Sequence, residues 1–322
     1  MDATPEPPTP PSGDQITIKP YFVLLIDILG QQRHLQSWRA HKSAQLLQIP
    51  PALKQSIKNS AGVIYDLRKD FLNFFESRLR VRQQSALSKI NQLLLPHQKY
   101  QDRYNDLTQP LLKLSQFSDT FVAYSPAATP QGDFSVGALF LLVGCACLLL
   151  PYYWERNVPL RGALVIESAG EFPDIGFYGP ALAKAHYLES KVASHPRIVV
   201  SEDIWRLVNS PRPETTDPLA LATRDLLRQI GELLGSDCDG KRIIDYLGKG
   251  SAQMFSGSLA AAIKSAHTNV NAQAAQHAQA LKTNPKNPEN KKLADRYAAL
   301  KCYFDRNIHH WNSKPATEQP TK

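Results

Sequence analysis

Two aspartates stand as the sole carboxylates of strand-like stretches: Asp27 in "YFVLLIDILG" and Asp119 in "LLKLSQFSDTFVAYS". A carboxylate carried on an apolar strand loses solvation worth on the order of several kcal/mol unless a cation or a donor faces it. Two such groups acting together are hard oxygen ligands of the kind that Mg²⁺ or Mn²⁺ takes. Taken singly, each also has a local explanation, with Asp27 capping the helix that follows and Asp119 making an Asx turn. The pair therefore carries chemistry only if the fold brings positions 27 and 119 together.

The elements around them can do this. "YFVLLIDILG" is a near-continuous apolar run, rich in β-formers and ending at Gly30, which predicts a strand buried on both faces. From 31 to 104 the chain is polar with helical spacing, and Ile64, Leu67, Phe71 and Phe74/Phe75 fall on one stripe, which predicts two or three helices. "LLKLSQFSDTFVAYS" alternates as a hairpin that turns at Ser118-Asp119. The apolar run over 136–150 is shorter than the roughly 20 residues a membrane span needs, so it predicts a buried helix, stopped by Pro151. Residues 160–201 then give a strand, a turn, a helix opening on Gly-Pro and a second strand. The order β, α, β, β, α, β, α, β predicts an α+β fold, an antiparallel-dominated sheet with helices on one face. In that fold a strand end and the turn of a neighbouring hairpin lie side by side.

A chain of 322 residues, 43% hydrophobic and 20% charged, is expected to be globular. A Pro-rich arm over 1–15 and a tail over 313–322 are expected to be disordered. Between them the division is a main domain over 16–210, with a helical insertion at about 33–104, and an extension of helices and strands over 211–312 packed on it. Cys145, Cys147, Cys238 and Cys302 form neither a CxxC pair nor secretory spacing, and the N-terminus lacks a charged region followed by an apolar core, which together imply a reducing, cytoplasmic setting. The net charge of +8 suits an anionic ligand, whether nucleotide, nucleic acid or membrane surface. There is no Gly-rich phosphate loop, no catalytic triad and no Cys/His cluster, and His186, His309 and His310 lack metal-ligand spacing.

Four motifs in order narrow the choice. "LIDILGQ" resembles the F-x-D-I-x-G-F of class III nucleotidyl cyclases, and "KLSQFSDTFVAY" resembles their K-x-K-T-I-G-D-A-x-x-A hairpin. "LRGALVIESAG" is similar to their R-I-G-I-H-x-G, and "YGPALAKAHYLES…RIVVS" to W-G-x-x-V-N-x-A-x-R-L-E…I-x-V-S. The set spans 20–205. Within the superfamily, "FSD", "LRGA", "YGPAL", "LES", "PRIVVS", "SDCDGKRIIDYL" and "RYAALKCYFDRNIHHWN" resemble the Pycsar pyrimidine cyclases, bacterial antiphage enzymes that make cyclic UMP or cyclic CMP. The resemblance implies a class III cyclase-like fold with a ferredoxin-like βαββαβ core. It further implies conversion of UTP or CTP to the 3′,5′-cyclic monophosphate and pyrophosphate, with two divalent cations, Mn or Mg, per site. Its implied partners are a second copy, in a homodimer with composite active sites, and a downstream effector protein that senses the product. It implies neither a stable nucleic-acid complex nor membrane insertion.

The same resemblance assigns roles. Asp27 and Asp119 are expected to hold the metals, with the Ile28 carbonyl as a further ligand. The turn at Gly30 and Gln31 can offer backbone N–H groups to phosphate, Gly30 permitting close approach. The purine-reading positions depart from the family: Ser115 stands where it has Lys or Glu, and Gly176 where adenylate cyclases keep Asp. The Ser115 hydroxyl can meet a pyrimidine edge or be a plain strand serine. Ala183 and Tyr187 replace the family's Asn and Arg. At 100° per residue, Leu182, Ala185, Leu188 and Val192 share an apolar face and Tyr187 points away, either toward a base or phosphate held by the partner subunit or into a dimer interface. Lys184 and Lys191 share its side as a solvated face. Arg161 can clamp a phosphate or a uridine carbonyl, or pair with Glu189 or Glu167. Two other readings stay open, a cyclase-fold module that binds nucleotide or RNA without turnover, and a purine cyclase with unconventional base contacts.

Overall fold

The computed structural model describes residues 17–30, 51–93, 111–128, 132, 134–173, 175–212 and 214–312. The Pro-rich arm, the tail and the ends of the proposed helical insertion, 33–50 and 94–104, lie outside the described residues.

Strand β1 (Ile18–Ile28) is the spine of an eight-stranded mixed sheet. It pairs antiparallel with β3 (Thr120–Pro126) on one side and with β4 (Leu160–Phe172) on the other. Strand β2 (Lys113–Phe117) forms the edge beyond β3, and β5 (Gly176–Tyr178) folds back on β4. Beyond β4 come β6 (Ile198–Val200), β8 (Arg242–Ile244) and β7 (Leu234–Ser236). Among the described strands only β4 and β6 run parallel. The predicted core order is present, with β5 added. The β2–β3 hairpin turns at Ser118-Asp119 with Ser118 at φ 56°, the left-handed backbone that a tight two-residue turn demands.

Residues 21–26 of β1 are all 2% exposed or less, as a strand covered on both faces must be. Alternation puts Phe22, Leu24 and Ile26 on one face, and Ile26 lies opposite Phe121, whose ring is 5.0 Å from Phe71 of α1 (Pro51–Leu93). Tyr21, Val23, Leu25 and Asp27 point the other way, and α3 (Pro180–Tyr187) packs there, its Lys184 3.2 Å from Glu167, the partner of Tyr21 across the sheet. Helices therefore cover both faces, not the single face expected. The cause is the parallel β4–α3–β6 connection, which must carry its helix across one face of the sheet.

The stripe on α1 holds, with Leu67 and Phe71 fully buried and Ile64 and Phe75 nearly so. It lies on one helix of 43 residues, and the rest of the stretch expected to hold two or three helices, 31–50 and 94–104, lies outside the described residues. The apolar helix α2 (Val136–Glu155) does not stop at Pro151, which sits inside it. A proline in a helix costs about 3 kcal/mol. Burial of Tyr153 and Trp154, each 1% exposed, in the next turn contributes about 1.5–3 kcal/mol apiece and outweighs it. Helix α2 is long and apolar enough to cross a membrane, but 89% of that stretch is buried inside the protein. It packs on α1 and on α6 (Lys249–Thr283). The remaining helices are α4 (Glu202–Asn209), α5 (Pro218–Glu232), α7 (Pro288–Asn307) and the short α8 (His309–Asn312).

On β4, Gly162 lies opposite Ile26 of β1. A Cβ there would collide with the Leu25 carbonyl oxygen and stand 3.2 Å from Ile198 Cγ1. The first obstacle is backbone in the middle of the sheet, so nothing can swing aside. Gly162→Ala is expected to destabilise the protein by about 3 kcal/mol or more, read as a lower urea midpoint, whereas a change under about 0.5 kcal/mol would contradict this packing.

Candidate functional site

The site begins where β1 ends. Asp27 lies in register with Thr120 of β3 and Arg161 of β4, on the face that α3 covers. The Ile28 amide donates to the Asp119 carbonyl at 3.3 Å, which fastens the hairpin turn to the end of β1. Gly30, at φ 91°, then turns the chain, and that conformation rather than crowding calls for glycine, since a Cβ there would meet nothing within 4 Å. Asp27 and Asp119, predicted to lie together, do so, and Ile28 is buried between them with its amide already engaged.

Arg161 reaches this corner from β4. Its Nη2 is 3.5 Å from Asp27 Oδ2 and makes a closer ion pair with Glu189 Oε1. The Arg161–Glu189 pair weighed from sequence is therefore present, while Glu167 instead accepts Lys184. All three side chains are withdrawn from water, Asp27 18%, Arg161 13% and Glu189 5% exposed. Burial first, then the charges of Glu189 and Asp119, push the Asp27 carboxyl up to about 6, against the opposing effects of Arg161 and a 3.4 Å hydrogen bond from Thr120 Oγ1. Asp27 and Glu189 thus share one guanidinium, and the charge of Asp119 acts on the same corner. The corner holds more negative charge than its own cation balances, and its donors are hard oxygens, which fits Mg²⁺ or Mn²⁺. Among the described residues, no group of three or more His, Cys, Asp or Glu side chains is placed to hold a metal ion, so a cation here would rest on Asp27, Asp119 and backbone oxygen.

From sequence, Glu189 offers itself only as a partner for Arg161. It sits on a π turn, Leu188–Val192, that continues α3. A wheel drawn at 100° per residue cannot foresee an inserted residue, and such turns recur at functional sites. The turn is held from behind by Arg197, whose Nη2 donates to the Val192 carbonyl at 3.1 Å. Arg197 in turn donates to Asp237 at 2.9 Å and to both oxygens of Asp239 at 2.7 Å. Asp237 also takes His195 Nε2 at 2.8 Å, and these donors, with the Cys238 amide, hold its carboxyl well below the usual range in spite of burial. The two quoted stretches "PRIVVS" and "SDCDGKRIIDYL" are therefore joined through Arg197. A second cation that the sequence reading missed is Arg296 of α7, half-buried and lowered first by burial and then by the charge of Arg161, which places it within electrostatic reach of the corner.

The other predicted residues divide. Ser115 on β2 pairs with Val122, which pairs with Leu25, so it shares the Asp27 face, two strands across and one two-residue step along, roughly 12 Å away by sheet spacing. Tyr187 stands 60% exposed, off the face that buries Ala185, and is not among the groups that contact Asp27, Arg161 or Glu189. Lys184 is engaged by Glu167 and, at 2.6 Å, by Asp203, and Lys191 is exposed. Gln31 lies outside the described residues. Gly176 lies on β5, lining a cavity of about 360 Å³ with Tyr124, Glu171, Phe172 and Pro173, toward the far end of β1 from Asp27. Against known proteins, no family model, no curated protein and no solved structure matches this chain.

The raised Asp27 carboxyl has a stability signature. Its folded value, about 6, lies above the unfolded value near 3.8, so the native state holds the proton more tightly between those limits. Stability of the metal-free chain should fall as pH rises from about 4 to 6, by about 1–3 kcal/mol after allowance for partial exposure. Asp27→Asn should remove this slope and raise stability at pH 7.5 by about 1–2 kcal/mol in urea unfolding with chelator present. An unaltered slope would contradict the charge excess.

Proposed function

We propose that this chain is a nucleotidyl cyclase of class III type that converts UTP, with CTP as the other candidate pyrimidine substrate, into the 3′,5′-cyclic monophosphate and pyrophosphate. The observation that carries the reading is the meeting of Asp27 and Asp119 at the end of β1, in a corner whose excess negative charge raises the Asp27 carboxyl. The sheet order and the antiparallel pairing of β1 with β3 and β4 agree with the ferredoxin-like core the motif resemblance implies. Two Mn²⁺ or Mg²⁺ ions bound here supply acidification of the ribose 3′-hydroxyl and neutralisation of the triphosphate.

The residues of the chain divide the remaining work. Asp27 and Asp119, with the Ile28 carbonyl, are the metal ligands. Arg161 offers its guanidinium fork to the α-phosphate, where negative charge builds up as pyrophosphate leaves, and Glu189 positions that guanidinium. Arg296 adds positive charge for the triphosphate tail. The N–H groups at Gly30 and Gln31 face phosphate, and Ser115 faces the pyrimidine edge. Tyr187, exposed on α3, serves a site completed by a second copy in a homodimer. In this reading the enzyme works in the cytoplasm without membrane insertion, and its cyclic nucleotide drives a separate effector protein in antiphage defence. A second reading, nucleotide binding without turnover, has one observation in its favour: Arg161 already closes on Asp27 and Glu189, in the place where cations would sit.

Incubating the purified protein with each of the four NTPs and Mn²⁺ separates the readings. UTP or CTP is expected to be cyclised at least about tenfold faster than ATP or GTP, and Asp27→Ala or Asp119→Ala to lower the rate by roughly 10³ or more while the protein stays folded. Equal turnover of ATP refutes the pyrimidine assignment, near-normal turnover in either variant refutes the metal roles, and UTP binding without product supports the second reading.

The composite site has its own test. Mixing Asp27→Ala chains with Tyr187→Ala chains creates some dimers with one site whose side chains are all intact, so activity should return to up to about a quarter of wild type if Tyr187 acts across the dimer. No recovery, with subunit exchange shown independently, would place Tyr187 in the same chain's site or outside catalysis.

A further inference from the structure

The corner of the fold behind the π turn carries a feature that nucleotide chemistry does not use. Cys238, in the loop between β7 and β8, and Cys302, on α7, are separated by 64 positions in the chain, yet their sulfurs lie 2.9 Å apart. Both residues are exposed. The elements that carry them are already joined, since Arg306 of α7 donates to the Ser236 carbonyl of β7 at 3.0 Å. A bond requires the sulfurs to close from 2.9 Å to roughly 2.05 Å. Cys145 and Cys147, by contrast, are fully buried in α2 and out of reach of solvent.

We infer that Cys238 and Cys302 are a modification site, a thiol pair that a low-molecular-weight disulfide of the glutathione type converts to an intrachain disulfide. One protein thiolate attacks the small disulfide, forming a mixed disulfide and releasing one small thiolate. The second protein thiol gives its proton to solvent and attacks the mixed-disulfide sulfur, releasing the other small thiolate. Two protein thiols are oxidised and one small disulfide is reduced to two thiols. Partial burial, then the contact with Cys302, pushes the Cys238 thiol up to about 11, so its thiolate is scarce at neutral pH and the exchange should take on the order of minutes to hours. The bond would pin Cys238 beside Asp237, the carboxylate that anchors Arg197 and through it the π turn. This inference stands apart from the proposed activity, and its readouts do not depend on turnover.

The test is incubation of the full chain with oxidised glutathione at pH 8, followed by thiol counting, non-reducing peptide mapping and thermal unfolding. The expected result is loss of the two accessible thiols, a cross-linked peptide joining Cys238 to Cys302 within one chain, and a Tm about 5 °C higher that dithiothreitol reverses. Cys238→Ser and Cys302→Ser should each keep one glutathione adduct and show no such rise. Stable adducts on both cysteines of the unsubstituted chain, a cross-link between chains, or an unchanged thiol count would overturn the inference. The mapping result on the unsubstituted chain decides even if a serine variant folds poorly.

Discussion

Arg161 is the group on which the functional corner depends. Glu189 is 5% exposed and Asp27 18%, and an unpaired charge so withdrawn from water would cost on the order of several kcal/mol. One guanidinium serves both, and it can do so because eleven residues of β1 pair in unbroken register with β4, setting Arg161 directly opposite Asp27. The long apolar ladder is thus the cause of the charge geometry. Burial of Phe22, Leu24 and Ile26 fixes the register, the register fixes Arg161, and Arg161 permits two carboxylates to remain where Asp119 adds a third. The negative charge left over is what the proposed metal role rests on.

A second charge network supports the first from behind. Arg197, 3% exposed at the side chain, is held through its two Nη atoms by Asp237, Asp239 and the Val192 carbonyl, so the π turn that presents Glu189 is tied to the β7–β8 loop. Strands β7 and β8 continue the same sheet through β6, and α7 brings Arg296 toward Arg161. The part of the chain after 210 therefore shapes the corner as well as enlarging the core. Removing one partner from a buried network of this kind commonly costs about 3–5 kcal/mol, which makes Asp237 as consequential for folding as Glu189 is for the site.

What was legible in the sequence was whatever local periodicity encodes. The strand ending at Gly30, the turn at Ser118-Asp119, the stripe on α1 and the apolar face of α3 all follow from spacing, and so did the meeting of Asp27 with Asp119. The failures share a physical origin in tertiary contacts. Pro151 does not end α2 because Tyr153 and Trp154 are buried beyond it. The placement of α3 opposite α1 follows from a parallel connection that no single segment announces. The π turn shifts Glu189 out of the expected wheel, and the contacts of Arg197 with Asp237 and of Cys238 with Cys302 join segments far apart in the chain. The nearest available hint was the presence of both "LES" and "LRGA", a glutamate and an arginine in adjoining elements that each needed a partner.

The central claim is that the end of β1 is built to hold divalent cations against a bound triphosphate. Mn²⁺ binding in the presence of a non-cyclisable UTP analogue, followed by the loss of the free-ion signal in electron paramagnetic resonance, tests this without relying on turnover. The account predicts two Mn²⁺ per chain, with Asp119→Asn losing binding at least about tenfold and Glu189→Gln retaining it. Binding of fewer than one ion per chain, or binding that Asp119→Asn leaves unchanged, would contradict it.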